Sequence, residues 1–565
     1  MNSVESVQTV WEAFKATCRG WCISYNSAKH RERSQRKNEL MLELKNLEMQ
    51  HMRDPNDQKL KTMVLLTRTE LQSIIHEETS TALYKLKRKH FETGDKAGRM
   101  LALRLKQIES NSSITAINDQ NGSLVCEQKE INQAFQEYYS KLYESECRFN
   151  PDTIDDFLRS ASLPQLKEDD RTYLDKHVQE LEVKAAIKAL AAGKAPGQDG
   201  FSVDFYKCFQ EVLSPFLTLL YRDIIATQSM PQSMNMAVIS LLPKPGKDHT
   251  KMDNFRPLSL LNNDYKIFAK TLAMRLEKVI SSLIHLDQVG FIAGRYSAHN
   301  MRRLFHVMSE AASLQHPAVA ISLDAEKAFD RIEWSYLFHI LTKCGFGPVC
   351  IQWIKALYHN PVACVKTNGL ISPPFHLFRS TRQGCPASPV IFTLALEPLA
   401  CAIRENQSIT GIKLFNYDFK ANLYADDILL TLSRPALSVP HLLKLISDFG
   451  VFSGYKINWL KSEAIALNRL THSGHLSSTP IVWKTDGMRY LGVNITSPID
   501  NIFELNGPKL LKTVRDDLNR WTNLPLSLWG RAEVLKMNVL PRLASLFTAI
   551  PLEVPQRWFR EIKKN

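Results

Sequence analysis

The chain has 565 residues, 44% hydrophobic and 23% charged, the balance of a globular protein large enough for several substructures around more than one core. Its formal net charge of +13 suits a polyanionic partner as well as it suits a basic, soluble surface, so charge alone selects neither. No apolar run approaches the roughly 18 residues a membrane span needs, no signal or transit pattern opens the chain, and the ten cysteines show no paired zinc-ligand spacing; these features point away from a membrane and a structural zinc, and toward the cytoplasm and nucleus.

Val4, Trp11 and Phe14 open the chain at helical spacing, and from about Ala28 to Lys106 the pattern predicts long helices. Leu40, Leu44 and Leu47 share one stripe; Leu60, Val64, Leu71 and Ile75 share another. Asp54-Pro55-Asn56-Asp57 breaks the run, because proline forces its predecessor out of helix, and the result reads as an αα-hairpin. Arg31, Arg33, Arg36 and Lys37, between the stripes, fit a solvated face more simply than a nucleic-acid site. The basic cluster Lys85, Lys87, Arg88, Lys89 and His90 closes the helix ahead of Gly94.

Ser113 to Val125 predicts a β-hairpin around Asn121 and Gly122. Ile131, Phe135, Tyr138 and Leu142 mark an amphipathic helix, and Val183, Ile187 and Leu190 mark another that stops at Gly193. Beyond Pro196, short β-rich runs alternate with helices: Val238 to Leu242, Ala318 to Leu323, Val362 to Thr367, and the pair flanking Asp426. The class this patterning predicts is α+β.

The chemistry concentrates in two places. In Ala421 to Leu432, apolar residues press on both sides of Tyr424-Ala425-Asp426-Asp427. Two adjacent acids between buried strands are costly unless a cation or protons neutralise them, which points to hard divalent metal ligands; a solvated turn is the plainer reading. In Ile321 to Asp330, an apolar strand ends at Asp324 and passes into a helical stretch, where Asp324 could also serve only as an N-cap. Two acid-tipped strands about a hundred positions apart can converge on a pair of Mg²⁺ ions (or Mn²⁺), the arrangement for nucleotidyl transfer.

Around these acids the chain resembles the reverse transcriptases of non-LTR (long interspersed element) retrotransposons, most strongly from Gly193 to Gly492. The ordered strings are Gly193-Lys194-Ala195-Pro196-Gly197-Gln198-Asp199-Gly200, Leu242-Pro243-Lys244-Pro245, Asn254 to Leu261, Gln288 to Ile292 with Gly294-Arg295, Asp324 to Asp330, Thr381 to Pro389, Tyr424 to Asp427, Gly454 to Asn458 with Lys461-Ser462-Glu463, and Tyr490-Leu491-Gly492-Val493. Ser380 stands where that family usually has glycine, Ala387 where it has leucine, and His299 where an acid is expected.

The resemblance implies a right-hand palm, fingers and thumb preceded by a tower-like helical hairpin: residues 1–110 the hairpin, 111–315 fingers and connecting helices, 316–500 the palm and primer grip, 501–565 the start of a truncated thumb. It implies RNA-directed DNA polymerase activity, with Asp324, Asp426 and Asp427 as metal ligands and catalytic acids. Lys461, preferred over the equally basic Lys456 five residues before it, is the acid for departing pyrophosphate. Lys244 and Arg256 are suited to clamping a triphosphate, and Gln383 and Gly384 to positioning the nucleotide, the glycine letting backbone approach a base pair. Phe329 is the expected sugar gate and Tyr490, Leu491 and Gly492 the primer grip; Cys385 reads as packing.

Basic residues after Gly507, among them Lys509, Lys512, Arg515, Arg520, Arg531 and Lys536, suit a duplex-holding face. The partners implied are an RNA template, a DNA primer, the RNA-DNA hybrid duplex and dNTPs, with no membrane and with a separate endonuclease supplied by another segment or chain. Two rivals are an RNA-dependent RNA polymerase, which Phe329 argues against, and a catalytically silent nucleic-acid-binding fragment.

Overall fold

The computed structural model describes residues 6–89, 113–147, 150–159, 161–477, 479–522, 527–550 and 554–564. They fall into two compact units, one of Met1–Gln8, Ile114–Asp516 and Lys536–Asn565, the other of Thr9–Ser113 and Asp517–Leu535.

The smaller unit is dominated by two helices, α1 (Val7–Arg53) and α2 (Gln58–Lys89). Between them lies the break the sequence foretells, and Asp57 caps α2, its Oδ1 accepting from the Lys59 and Leu60 amides at 2.7 and 3.3 Å. Leu40, Leu47 and Val64 are buried, but the second stripe turns one residue earlier than predicted: Thr67 is buried and Ile74 half-buried, while Ile75 is 37% exposed. Arg33, Arg36 and Arg68 meet Glu77, Glu70 and Glu48 at 2.7, 2.8 and 2.5 Å, so these arginines join the two helices. Such exposed pairs set register more than they add stability. Residues 90–106, over which the sequence extends the helical reading, lie outside the described residues, as do His90 and Gly94.

In the larger unit, β1 (Ile117–Asn118) and β2 (Leu124–Val125) form the expected hairpin, with Asp119 Oδ1 accepting from the Asn121 and Ser123 amides. The helix Gln128–Leu142 follows, burying Ile131, Phe135, Tyr139 and Leu142. One sheet is ordered β4-β3-β6-β7, from β3 (Met236–Pro243), β4 (Phe255–Leu261), β6 (Val362–Thr367) and β7 (Leu370–Ile371), with β8 (Phe375–His376) also on β6. Strand β4 alternates: Phe255, Pro257, Ser259 and Leu261 go inward and Arg256 and Leu258 outward. Its edge position in the sheet tolerates Pro257, which lacks a donor.

The second sheet carries the acids and is ordered β11-β12-β5-β13-β14. Its strands are β5 (Ala318–Leu323), β11 (Ala421–Tyr424), β12 (Asp427–Ser433), β13 (Glu463–Ala466) and β14 (Val482–Trp483), and a separate pair, β9 (Ile412–Leu414) and β10 (Tyr417–Phe419), lies between β8 and β11 in sequence. Central β5, antiparallel to both β12 and β13, is buried at five of six positions, which is why it reads as a continuous apolar run and not as an alternation. Beneath it pack Leu304, Phe305 and Met308 of helix Ser297–Ser313, with Leu429, Ile465 and Ile495, in one hydrophobic core cluster. Helix Ser388–Glu405 is buried from Val390 through Ile403, the mark of a helix enclosed on all sides. A last pair, β15 (Met488–Tyr490) and β16 (Val493–Ile495), precedes helix Ile502–Thr522. No described helix is long and apolar enough to cross a membrane.

Candidate active site

The Asp-Asp turn is built by three segments. Strands β11 and β12 pair in register Tyr424 with Asp427, and Ala425 between them takes φ +57. Gln288 clamps that residue from outside: its Oε1 accepts from the Ala425 amide at 3.1 Å and its Nε2 donates to the Ala425 carbonyl at 3.3 Å. Gly290 makes the approach possible, since a Cβ there would stand 2.2 Å from the Ala425 nitrogen. Thus the Gln288-Val289-Gly290 string, quoted above for its resemblance alone, has a structural task.

Asp324 follows β5, whose Leu323 pairs with Ile428, so its carboxylate comes beside those of the turn. It does not cap a helix. Ala325 bridges to Ile457, Glu326 and Lys327 form a turn, Lys327 adopts φ +49, and the predicted helical stretch shrinks to Ala328–Arg331. Burial and the neighbouring Asp324 raise Asp426 above the usual carboxylate range; burial, Asp426 and Asp324 push Asp427 up to about 6. Among the described residues no three His, Cys, Asp or Glu side chains converge closely enough to hold one ion as placed. The donor set nonetheless suits a hard cation: all-oxygen ligands whose mutual repulsion a positive charge relieves.

Asp324 and Asp426 line a cavity of about 440 Å³ together with Lys244, Arg256 and Lys461. Phe329, Gln383 and Gly384 complete the same wall. Lys461 Nζ stands 3.4 Å from Asp324 Oδ2, whereas Lys456 Nζ is 2.5 Å from Glu146 Oε2. Phe329 stacks on Phe392 at 4.3 Å and meets Phe291 edge-on at 6.0 Å.

Other expected residues lie elsewhere. Asp427 follows Asp426 but does not line the cavity. Tyr490 is 2% exposed, its hydroxyl accepting from Asn300 Nδ2 at 3.3 Å, so it supports its hairpin from below and presents no ring to a ligand. Leu491 and Gly492, at φ +45 and +86, form the turn and border a different recess with Lys509 and Arg542. Gly384 also has a reason other than the one expected: at φ +116, its Cβ would lie 2.6 Å from the Ser259 carbonyl, so glycine is required by strand β4 of the protein itself. His299 Nδ1 accepts from the Tyr296 amide at 3.3 Å, the helix-opening task an acid would perform.

Several cavity residues escaped sequence reasoning. Asp330, buried, takes hydrogen bonds from the Tyr143 hydroxyl at 3.0 Å and Gln383 Nε2 at 2.8 Å, while the Gln383 backbone carbonyl accepts from the Ser259 amide at 2.9 Å, which leaves the Gln383 side-chain Oε1 as the acceptor to offer. Burial raises Asp330 to about 6 against the pull of Tyr143, Lys327 and Gln383. Arg382 is 1% exposed, lies 5.2 Å from the Tyr265 ring and has no hydrogen-bond partner among the described residues. Lys327 lines the cavity too. An aromatic-acid pair closing the Asp324 segment was the available signal for Asp330, and the polar pair Arg382-Gln383 between apolar segments was the signal for Arg382; nothing local marks Lys327.

Comparison with known proteins agrees with this geometry. Residues 242–495 match the family model described as reverse transcriptase (RNA-dependent DNA polymerase). The chain is 27% identical over 562 residues to the transposon TX1 uncharacterized 149 kDa protein of Xenopus laevis, covering 98% of this chain and 42% of that one. It is 25% identical over 386 residues to the Pol polyprotein of the type-2 retrotransposable element R2DM of Drosophila melanogaster, covering 65% and 34%. It is also 25% identical over 325 residues to the RNA-directed DNA polymerase from mobile element jockey of the same fly, covering 56% and 34%. Residues 242–495 of the chain are thus similar to reverse transcriptases. The three relatives are proteins of transposons and retrotransposable or mobile elements. The chain spans less than half the length of each of the three.

Proposed function

We propose that this chain is the polymerase part of a non-LTR retrotransposon protein, an RNA-directed DNA polymerase that adds deoxynucleotides to a primer 3′-OH. The observation that carries the reading is the shared cavity: two aspartates at strand ends line it together with lysine and arginine cations, the mixture of acids for metal and cations for phosphate that a metal-loaded triphosphate needs. Asp324, Asp426 and Asp427 are the residues to hold divalent metal, Mg²⁺ or Mn²⁺. When bound, the metal supplies charge that activates the primer hydroxyl and stabilises the leaving oxygen. Lys244 and Arg256 hold phosphate oxygens, Gln383 orients the nucleotide through its side-chain Oε1, and Lys461 delivers a proton to pyrophosphate.

In this reading the β5-centred sheet is the palm, the β3-centred sheet belongs to the fingers, and α1 and α2 are the tower-like hairpin. The basic residues from Lys509 onward begin the thumb, and the turn at Leu491 and Gly492 is the part of the primer grip free to touch a strand. RNA template, DNA primer, their hybrid and dNTPs are the partners, and a nick comes from a separate endonuclease. The cytoplasm and nucleus are the compartments that fit.

Phe329 sets the sugar. Its ring, held between Phe392 and Phe291 on the cavity wall, fills space a 2′-OH would need. The test is primer extension on an RNA template with matched dNTP and NTP. Extension with dNTP only is expected, and Phe329→Val should raise ribonucleotide use at least tenfold relative to dNTP. The aromatic stack makes that variant less stable as well, by roughly 1–4 kcal/mol. Equal use of both sugars by the unaltered chain would favour an RNA polymerase; no extension would favour a silent binding protein.

A further inference from the structure

Lys327 is a cavity cation engaged elsewhere. Its backbone is left-handed at φ +49, and its Nζ stands 2.7 Å from Asp253 Oδ1. The same ammonium donates to the Tyr138 hydroxyl, which in turn donates to Asp253 Oδ1. Asp253 sits on the short turn Met252–Asn254 between β3 and β4, and its carbonyl accepts from Lys244 Nζ at 2.7 Å. One residue therefore gathers two of the cations that border the cavity.

The Asp253 side chain is 72% exposed and that of Lys327 22%. An ion pair with one partner largely in water contributes little, so a stronger anion can displace the carboxylate at small cost. Lys244, Arg256, Lys327 and Lys461 all line the one cavity. Burial, followed by repulsion from Lys461 and Lys327, holds the Lys244 ammonium below its ordinary range. A set of cations that repel one another is relieved by a polyanion, and one with several phosphates offers each cation an oxygen.

We propose that Lys327 is a phosphate-binding residue of the cavity, parked on Asp253 and Tyr138 until the triphosphate of an incoming nucleotide takes it over. The proposal rests on the polymerase reading for the identity of the nucleotide, but not for the affinity of the site for triphosphate. A purely structural bridge between the Gln128–Leu142 helix, the β3–β4 turn and the Asp324 segment is the alternative. The two differ in sign. If the bridge is structural, removing either end loosens the site; if Asp253 competes with phosphate, removing it frees Lys327.

The experiment titrates inorganic tripolyphosphate into the 565-residue chain by calorimetry and measures dNTP KM in RNA-templated extension. Lys327→Gln should weaken tripolyphosphate binding and raise KM about tenfold, with a smaller change in kcat. Asp253→Asn should strengthen both severalfold, and the double variant should match Lys327→Gln. Unchanged binding by Lys327→Gln, or weakened binding by Asp253→Asn, overturns the proposal. Melting curves report whether each variant folds, and if Lys327→Gln does not, the direction of the Asp253→Asn change still decides. Failure of the unaltered chain to extend a primer would defeat the polymerase reading alone, because the tripolyphosphate titration needs no synthesis.

Discussion

Ser380 shows how much a single residue can reveal at this site. It sits at φ +113, a backbone region that disfavours side chains, and its buried hydroxyl has no hydrogen-bond partner among the described residues. Glycine is the residue the family resemblance leads one to expect there, and Ser380→Gly should stabilise the protein by roughly 1–2 kcal/mol, through relief of strain and of an unsatisfied hydroxyl. Chemical denaturation would measure this; a lower midpoint would contradict it. Asp330 supplies a pH test. Its carboxyl is raised to about 6, so it holds a proton in the folded state that it loses when unfolded. The contribution is complete below the ordinary carboxylate value near 4 and disappears as pH rises through about 6, a change of up to roughly 3 kcal/mol. Asp330→Asn should therefore show a shallower loss of stability between pH 4.5 and 7.5 than the unaltered chain; parallel curves would refute the assignment. Asp324 and Asp426 were legible because acids among apolar neighbours are conspicuous. Lys327 and Asp330 were not, because their partners Tyr138, Tyr143 and Asp253 come from distant segments.

At the scale of elements, strands were read best where burial made them distinctive. The ranges Ala318–Leu323 and Val362–Thr367 came out with the expected boundaries, since both are runs of small and branched apolar residues. The helix after Asp324 was overestimated because a single left-handed residue, Lys327, delays its start, and no side-chain pattern announces that conformation. Brace and turn are likewise invisible in periodicity: Gln288 and Gly290 matter through their fit against Ala425. Gly290→Ala should drive the Asp-Asp turn out of place and cut extension at least a hundredfold, with a stability loss of about 1–3 kcal/mol. Gly294→Ala is the control, since its Cβ meets nothing within 4 Å and only its φ of +77 resists the change. Equal activity of the two variants would show that the brace does not position the acids.

For the whole molecule, composition and charge allowed a nucleic-acid partner without requiring one, and the ordered strings supplied the family resemblance. Less legible was the grouping of distant segments. Asp517–Leu535 clusters with Thr9–Ser113, although the sequence reading placed it in one block with residues 501–565, because helical periodicity records a buried face and not the partner that covers it. The central claim is that the chain copies RNA into DNA at the cavity shared by Asp324 and Asp426. Its most direct test compares Asp324→Asn and Asp426→Asn with the unaltered chain in RNA-templated primer extension, with primer-template affinity measured in parallel. Extension should fall by at least a thousandfold in both variants while affinity stays within about twofold, since the change removes metal charge and no phosphate contact. Extension that survives either substitution would contradict the account.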